Sequence, residues 1–154
     1  MGIFSRPGRS NKLSRSILLV DDEPQTRDLL RLMLKRDGYE VFEAEDGYDA
    51  LEKVKAIVPD MVLLDVMMPD IDGLTVCRRI RKDEMLAEMP VLMLSARTHL
   101  EAVEMGIMAG ATRYLTKPIG RKELLQHIRE VFDGIPSPEV QMIREQLMVR
   151  GIIE

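Results

Sequence analysis

Five short segments typical of β-strands alternate along the chain with segments of helical periodicity, and this alternation constrains the fold more than any other feature. The five segments are Ser16–Val20, Glu40–Ala44, Met61–Asp65, Val91–Ser95 and Arg113–Thr116. Three of them are almost wholly apolar, which is typical of strands buried on both faces. Strands that alternate with helices at short spacing predict a parallel sheet covered by helices on both faces, with right-handed crossovers.

The predicted helices begin and end at residues suited to helix termini. Pro24 fits the first turn of the first helix, and Gly38 fits its C-terminal end. Asp46 and Gly47 open the second helix, which ends before Pro59. The sequence therefore predicts an α/β, flavodoxin-like fold, a three-layer (βα)5 sandwich whose five-stranded parallel sheet has the order 2-1-3-4-5.

Three acidic residues stand at the ends of two strands that this order places side by side. Asp21 and Asp22 follow the first strand, and Asp65 ends the third. The strand order reverses between these two strands, which is where open parallel sheets bind ligands. Carboxylates crowded into one small volume repel each other, and a hard divalent cation relieves that repulsion. The sequence therefore predicts a Mg²⁺ site, and an acidic Mg²⁺ site implies a phosphate ligand.

Two further side chains are predicted to lie at the same edge of the sheet. Ser95 ends the fourth strand, and Lys117 follows the fifth strand directly before Pro118. A lysine can neutralise one side of a phosphoryl group, and a serine hydroxyl can donate a hydrogen bond to one of its oxygens. With Asp65 as the nucleophile, this set is sufficient for a phosphoryl transfer that leaves an aspartyl phosphate.

Five motifs at successive strand ends together resemble one known family. In chain order they are Asp21-Asp22, Asp65 followed by Val-Met-Met-Pro-Asp-Ile-Asp-Gly, Ser95-Ala96, Tyr114 and Lys117-Pro118. Each motif alone is a weak signal, but all five in this order closely resemble the CheY-like receiver domain of two-component response regulators. The resemblance covers about residues 15–133.

The resemblance implies a role for each acidic residue. Asp65 is expected to be the phosphoacceptor, which takes a phosphoryl group from a sensor histidine kinase or a histidine phosphotransfer protein. The side chains of Asp22 and Asp65 and the backbone carbonyl of Met67 are expected to ligate Mg²⁺. Asp21 is expected to act on the ion directly or through water.

The resemblance also implies how the signal leaves the site. Ser95 is expected to move toward the new phosphoryl group and Tyr114 to turn inward, which changes the surface of the fourth helix, fifth strand and fifth helix. The expected output is regulated binding of a downstream protein. By the same resemblance, Met67 and Arg97 are expected to flank the route of a hydrolytic water, and neither offers a carboxamide or carboxylate to orient it. We therefore expect slow self-dephosphorylation, and a switch rather than a turnover enzyme.

Composition limits the partners and the compartment. The net charge of −4 gives no electrostatic drive toward nucleic acid or an anionic membrane. The chain lacks a run of about 18 apolar residues that would span a bilayer. Cys77 is the only cysteine, which fits a reducing compartment. These features predict a cytoplasmic protein that contacts neither nucleic acid nor membrane directly.

The sequence predicts three regions. Residues 1–15 form a disordered basic arm, residues 16–134 the receiver domain and residues 135–154 an appended helix capped by Ser137. The apolar stripe of that last helix consists of Val140, Ile143 and Leu147. The stripe favours packing on this chain or on a second copy in a homodimer. Contact with a foreign partner, or a link toward a missing output domain, remains open.

Three other functions remain as alternatives. The chain could be the receiver part of a larger response regulator whose output domain is missing, or an interaction module that no longer takes phosphate. It could also be a Mg²⁺-dependent phosphatase that uses an aspartyl nucleophile. That class of phosphatase needs a second, acid/base aspartate two residues after the nucleophile, and this position holds Met67.

Overall fold

A computed structural model of the chain describes residues 14–154, and each predicted strand forms at its predicted position. In chain order the elements are β1 (Ser16–Val20), α1 (Pro24–Arg36), β2 (Glu40–Ala44), α2 (Gly47–Ile57), β3 (Met61–Asp65), α3 (Gly73–Lys82), β4 (Val91–Ser95), α4 (Leu100–Met108), β5 (Arg113–Thr116), α5 (Arg121–Phe132) and α6 (Pro138–Val149). The predicted basic arm over residues 1–15 lies outside the described residues, apart from its last two positions. Within residues 14–154, the helices are all too short or too polar to cross a membrane.

The five strands form one parallel sheet of order β2-β1-β3-β4-β5, which confirms the predicted topology. The pairing aligns Val20 of β1 with Leu64 of β3, and Asp65 of β3 with Leu94 of β4. The carboxyl ends of these neighbouring strands therefore emerge at one edge of the sheet.

The sheet has a hydrophobic core on each face because successive strand side chains point to opposite sides. Helices α1 and α5 cover one face, and the core there contains Ile17, Leu19, Leu30, Leu34, Leu63, Leu124 and Ile128. Helices α2 and α3 cover the other face, and the core there contains Leu18, Val20, Val54, Leu64, Val76, Cys77 and Ile80. Burial on both faces makes the sheet a rigid support for the residues at its carboxyl edge.

The additional C-terminal helix α6 packs on α4 of the same chain. Its first turn is capped as predicted, because Ser137 Oγ accepts a hydrogen bond from the Val140 amide at 3.3 Å. The buried side chains of Ile143 and Leu147 meet Ile107 of α4 in a small third core. The apolar stripe of α6 left several packing partners open, and the structure shows α6 packed on α4 of its own chain.

Candidate functional site

The predicted acidic residues meet at the carboxyl ends of β1 and β3. One carboxylate oxygen from each of Asp21, Asp22 and Asp65 lies within 4.8 Å of the other two. Asp65 and Asp21 are only 6% and 2% exposed, whereas Asp22 faces solvent. The structure therefore brings together the three carboxylates that the strand ends predicted.

Lys117 lies between two of these carboxylates. Its Nζ is 3.1 Å from Asp21 Oδ2 and 3.3 Å from Asp65 Oδ1. Its backbone N–H donates to the Ser95 carbonyl at 2.8 Å, which continues the pairing of β5 with β4. A cis peptide bond joins Lys117 to Pro118. The sheet thus fixes the backbone from which Lys117 reaches the acidic residues.

Asp21 is held in place at both its side chain and its backbone. Its Oδ1 accepts a hydrogen bond from the Glu23 amide at 2.9 Å, while Lys117 donates to its Oδ2. The guanidinium of Arg27 donates to the Asp21 carbonyl at 2.7 Å. Asp21 is therefore a fixed acceptor, and Asp22 is the carboxylate of the pair that faces water.

The pKa of Asp65 is raised to about 6. Burial is the largest cause, and the neighbouring Asp21 carboxylate adds to it. The charge of Lys117 and its hydrogen bond act in the opposite direction and lower the pKa, as does the hydrogen bond from the Met67 amide. Asp65 thus remains mostly ionised at neutral pH, while being more basic than an ordinary aspartate.

The pKa of Lys117 is raised. Burial alone would lower it, but the charges of Asp65 and Asp21 and their hydrogen bonds outweigh burial. Lys117 is therefore a permanent cation at any pH near neutrality. A fixed positive charge beside a basic carboxylate is suited to an anionic reactant.

A cavity of about 200 Å³ opens at these side chains. It is lined by Asp21, Asp22, Glu23, Asp65, Met67, Ala96 and Lys117. The exposed side chain of Met67 and the exposed residue Ala96 form its apolar walls. A small polar group can reach Asp65 through this opening, which lies at the carboxyl edge of the sheet.

Ser95 and Tyr114 are connected through the backbone of Arg97. Ser95 is fully buried, and its Oγ accepts a hydrogen bond from the Arg97 amide at 3.1 Å. The Tyr114 hydroxyl donates to the Arg97 carbonyl at 2.9 Å. The structure therefore links the two predicted switch residues through a single residue. The side chain of Ser95 does not line the cavity.

Met67 stands at the mouth of the cavity with its amide 3.4 Å from Asp65 Oδ1. Arg97 follows Ser95 by two residues and is exposed. Met67 and Arg97, the two residues predicted to affect how long the phosphoryl group persists, are thus near the site, although only Met67 lines the cavity. The role of the Met67 carbonyl as a metal ligand stays a prediction.

Two residues that shape the loop after Asp65 were missed by sequence reasoning. Asp70 reaches α2, where its carboxylate accepts hydrogen bonds from the Gly47 and Tyr48 amides at 3.0 and 2.9 Å. Gly73 opens α3 directly against β3, and a Cβ there would lie 2.5 Å from the Asp65 carbonyl oxygen. The Asp and Gly of the turn were visible in sequence, but their long-range partners were not.

A parallel sheet of this order, with an acidic cluster and a lysine at its carboxyl edge, defines the signal-receiving domains of two-component systems. The chain belongs to the response regulator receiver domain family, whose model matches residues 17–129. Receiver domains act as signalling switches, and the acidic residues observed here fit both Mg²⁺ and phosphorylation.

Individual relatives agree with this assignment. The chain is 41% identical over 124 residues to the DNA-binding dual master transcriptional regulator RpaA of Synechocystis sp., covering 79% of this chain and 52% of RpaA. The chain therefore spans about half the length of this curated relative.

Solved structures of related proteins share the fold. Chemotaxis protein CheY4 of Vibrio cholerae is 33% identical, with a TM-score of 0.73 over 77% of this chain and 98% of that one. A LuxR-family two-component response regulator from Aurantimonas sp. is 31% identical, with a TM-score of 0.74 over 88% of this chain and 99% of that one.

Proposed function

We propose that Asp65 accepts a phosphoryl group from a sensor histidine kinase or a histidine phosphotransfer protein. The observation that carries the proposal is the Asp65 carboxylate, 3.3 Å from Lys117 Nζ in a cavity shared with the carboxylates of Asp21 and Asp22. In the transfer, an Asp65 oxygen bonds to phosphorus while the phosphorus–nitrogen bond of the donor histidine breaks. The histidine nitrogen keeps the electron pair of that bond.

The protonation states support this role. With a pKa of about 6, Asp65 is mostly deprotonated at neutral pH and needs no base to make it a nucleophile. Lys117 keeps its charge, so it can balance the negative charge of the incoming phosphoryl group. Both groups are positioned before the reactant arrives, which reduces the reorganisation that the transfer requires.

The acidic residues also fit Mg²⁺. Asp21, Asp22 and Asp65 offer hard oxygen donors close enough to share one ion, and the exposed position of Asp22 leaves room for water ligands. By resemblance to the family, the Met67 carbonyl completes the proposed protein ligands, and the Met67 amide lies 3.4 Å from Asp65 Oδ1. A bound ion would supply further positive charge to the phosphoryl group, in addition to that of Lys117.

Ser95 and Tyr114 are the proposed switch. A phosphoryl group on Asp65 would bring new acceptor oxygens next to β4, where Ser95 can donate its hydroxyl proton. Its Oγ now accepts from the Arg97 amide, and the Arg97 carbonyl accepts from Tyr114. A movement of the Ser95 hydroxyl would therefore change the hydrogen bonds of the Arg97 backbone, and through them the position of the Tyr114 ring.

The phosphoryl group is proposed to be lost slowly. Hydrolysis needs a water aligned with the phosphorus, and Met67 at the cavity mouth has no polar group to orient it. Arg97 likewise offers neither carboxamide nor carboxylate. The chain would then hold one phosphoryl group for a prolonged time and would not turn over phosphate esters.

A second cavity indicates where the donor protein would lie. A groove of about 390 Å³ between α1 and the segment after β5 is lined mainly by apolar side chains, among them the exposed Leu29. It shares Lys117 and Ala96 with the acidic cavity. A protein bound in this groove would lie next to the acidic cavity, from which a histidine could approach Asp65.

The proposed output is regulated binding of a downstream protein. Because the chain covers only 52% of RpaA, it also fits the receiver part of a longer regulator that carries an output domain. Arg113 is directed inward to Glu130 and the Ile135 carbonyl, so it is engaged within the chain. Many DNA-binding response regulators carry acidic residues before the aromatic residue of β5, whereas this chain has Thr112 and Arg113, so we do not expect the salt-bridged dimer of that subclass here.

The test is incubation of the full chain with acetyl phosphate and Mg²⁺, followed by intact mass measurement. We expect one phosphoryl group per chain, absent from Asp65→Ala and retained by the control Asp133→Asn at the exposed end of α5. An Asp65→Ala chain that still gained phosphate would falsify the site. No mass increase in the unmodified sequence would favour an interaction module that no longer takes phosphate.

Incubation with a phosphate monoester separates the switch from the phosphatase alternative. A phosphatase would release inorganic phosphate continuously from the monoester, whereas a switch would not turn it over. The apolar Met67 at the position of the expected acid/base residue supports the switch.

A further inference from the structure

Helix α6 covers one face of α4. Ile143 and Leu147 are buried there against Ile107, with Val103, Val140 and Ile153 packed around them. At the end of α6, Arg150 pairs with Glu104 of α4 at 2.9 Å. The chain itself therefore supplies the segment that occupies this face.

Another face of α4 touches the Tyr114 ring. A Cβ at Gly106 would lie 2.6 Å from Tyr114 Cδ2, so the ring rests directly on the helix backbone. The next residue, Ile107, contacts α6. Adjacent residues of one helix thus face the Tyr114 ring and the α6 cover. A shift of the ring off Gly106 would allow α4 to move beneath α6.

The Tyr114 ring is in turn tied to the acidic site. Its hydroxyl donates to the Arg97 carbonyl, and the Arg97 amide donates to Ser95 Oγ. Ser95 directly follows Leu94, which pairs with Asp65. The β3–β4 pairing, the hydrogen bonds of Arg97 and the contact of the Tyr114 ring with Gly106 therefore connect the surroundings of Asp65 to the α4–α6 interface.

The α6 contact rests on few buried side chains. Helix α6 has 12 residues, and a helix of that length is marginal in water without tertiary packing. Ile143 and Leu147 are its two buried residues, while Met142, Met148 and Val149 are exposed. Release of α6 would expose the side chains of the small third core and leave both main cores intact. A coupled element needs two accessible states that both sites can bias.

We propose that α6 is a releasable cover of α4 whose docking is coupled to the state of Asp65. Phosphorylation favours release of α6, and docked α6 slows phosphorylation, because docking lowers the population of the state that accepts the phosphoryl group. The inference rests on the proposed phosphorylation of Asp65. It adds that the unphosphorylated chain keeps the α4 face closed with its own last helix.

The forward direction is tested by hydrogen exchange of the full chain before and after treatment with acetyl phosphate and Mg²⁺. We expect exchange of the amides of residues 140–149 to accelerate at least about fivefold, the low end of typical coupling. The amides of α5 should keep their rates. Asp65→Asn treated in the same way should show no change in α6.

The reverse direction compares two neighbouring residues of α6. Leu147→Ala removes a fully buried contact, whereas Met148→Ala changes a side chain that is 50% exposed. We expect Leu147→Ala to raise the rate of phosphoryl incorporation from acetyl phosphate several-fold, and Met148→Ala to leave it unchanged. Arg150→Ala removes the pair with Glu104 without touching a core, and we expect a smaller increase in the same direction.

Intact mass of each sample distinguishes the two possible failures. Full phosphoryl incorporation with unchanged exchange in α6 would contradict the release of α6 on phosphorylation. The proposed function of Asp65 would still stand. Equal incorporation rates for Leu147→Ala and Met148→Ala would also contradict the coupling between α6 docking and phosphorylation. A chain that gains no phosphoryl group would overturn the proposed function, and the coupling with it.

Discussion

At the residue scale, the reactivity of Asp65 depends on Lys117. The lysine lowers the pKa of Asp65, whereas burial and Asp21 raise it to about 6. Lys117→Met should therefore move the pKa of Asp65 above 6, so that less carboxylate is ionised at pH 7. We expect incorporation from acetyl phosphate to fall at least about tenfold and its pH midpoint to move upward.

The control for this change is Lys122→Met, which alters an exposed lysine in the first turn of α5. Its rate and pH midpoint should match those of the unmodified sequence. A Lys117→Met chain with the original midpoint would show that the lysine does not act on the Asp65 carboxylate.

The raised pKa of Asp65 also predicts a cost in stability. An acid whose pKa is higher in the folded than in the unfolded state destabilises the fold as pH rises between these values, here from about 4 to about 6. A shift of two units corresponds to about 3 kcal/mol, and water in the open cavity reduces this to about 1 to 2 kcal/mol. Asp65→Asn should thus increase the free energy of unfolding at pH 7.5.

Urea unfolding without divalent cations measures this difference. The stabilisation by Asp65→Asn should shrink as pH falls below 6 and vanish near pH 4, where the carboxyl is protonated in both states. A difference that is the same at pH 4 and pH 7.5 would rule out the ionisation of Asp65 as its cause.

The lifetime of the phosphoryl group is predicted to depend on Met67. Asn at this position could hold a water by one hydrogen bond, worth about 1 kcal/mol, which corresponds to roughly fivefold in rate. Met67→Asn should accordingly speed the loss of phosphate from the isolated, phosphorylated chain. Met85→Asn, a change at a side chain that is 88% exposed, is the control. An unchanged lifetime in Met67→Asn would argue against this role.

At the scale of elements, the loop after β3 is held by the N-terminus of α2. Asp70 accepts hydrogen bonds from the Gly47 and Tyr48 amides. Burial slightly opposes ionisation of Asp70, but these amide bonds prevail and lower its pKa. Asp70→Ala should destabilise the chain by about 1 kcal/mol above pH 4, as the loss of a helix cap does.

Urea unfolding at pH 7 and at acidic pH checks this prediction, with Glu84→Ala in the exposed turn after α3 as the control. A lowered pKa stabilises the fold above the unfolded-state value, and this stabilisation is lost as pH falls through the folded-state value. The effect of Asp70→Ala should therefore decrease in acid. An effect that grows in acid would contradict the proposed cap.

The elements that the sequence predicted well are those with strong local signals. The apolar runs predicted the positions of β1, β3 and β4 correctly, and Ser137 predicted the start of α6. The sequence did not reveal that Asp70 accepts hydrogen bonds from the first two amides of α2, because these donors lie more than 20 positions away. Side-chain pairing at such distances depends on the folded arrangement.

At the scale of the whole molecule, the strand order explains why the site could be predicted. Residues from β1, β3 and β5 meet because a parallel sheet brings all its carboxyl ends to one edge. The partner of α6 could not be predicted in the same way, since its apolar stripe fits any apolar surface. Only the three-dimensional structure shows that Ile143 and Leu147 meet α4.

The acidic edge of the sheet also predicts a response of the whole fold to Mg²⁺. An ion that binds only the folded state stabilises it by RT ln(1 + [L]/Kd), about 2.7 kcal/mol at a concentration of 100 Kd. Millimolar Mg²⁺ should therefore raise the free energy of unfolding by about 1 to 3 kcal/mol at pH 7.5. Removal of the ion with a chelator should reverse the gain.

Asp22 is the residue with which to test this response, because it faces solvent and carries no part of either core. Asp22→Ala should fold normally and lose most of the stabilisation by Mg²⁺. Glu145→Gln, which removes an exposed carboxylate on α6, should respond like the unmodified sequence. The measurement requires no phosphoryl donor, so it tests the metal site independently of Asp65 phosphorylation. Equal Mg²⁺ responses in the two variants would show that the ion binds elsewhere on the acidic surface.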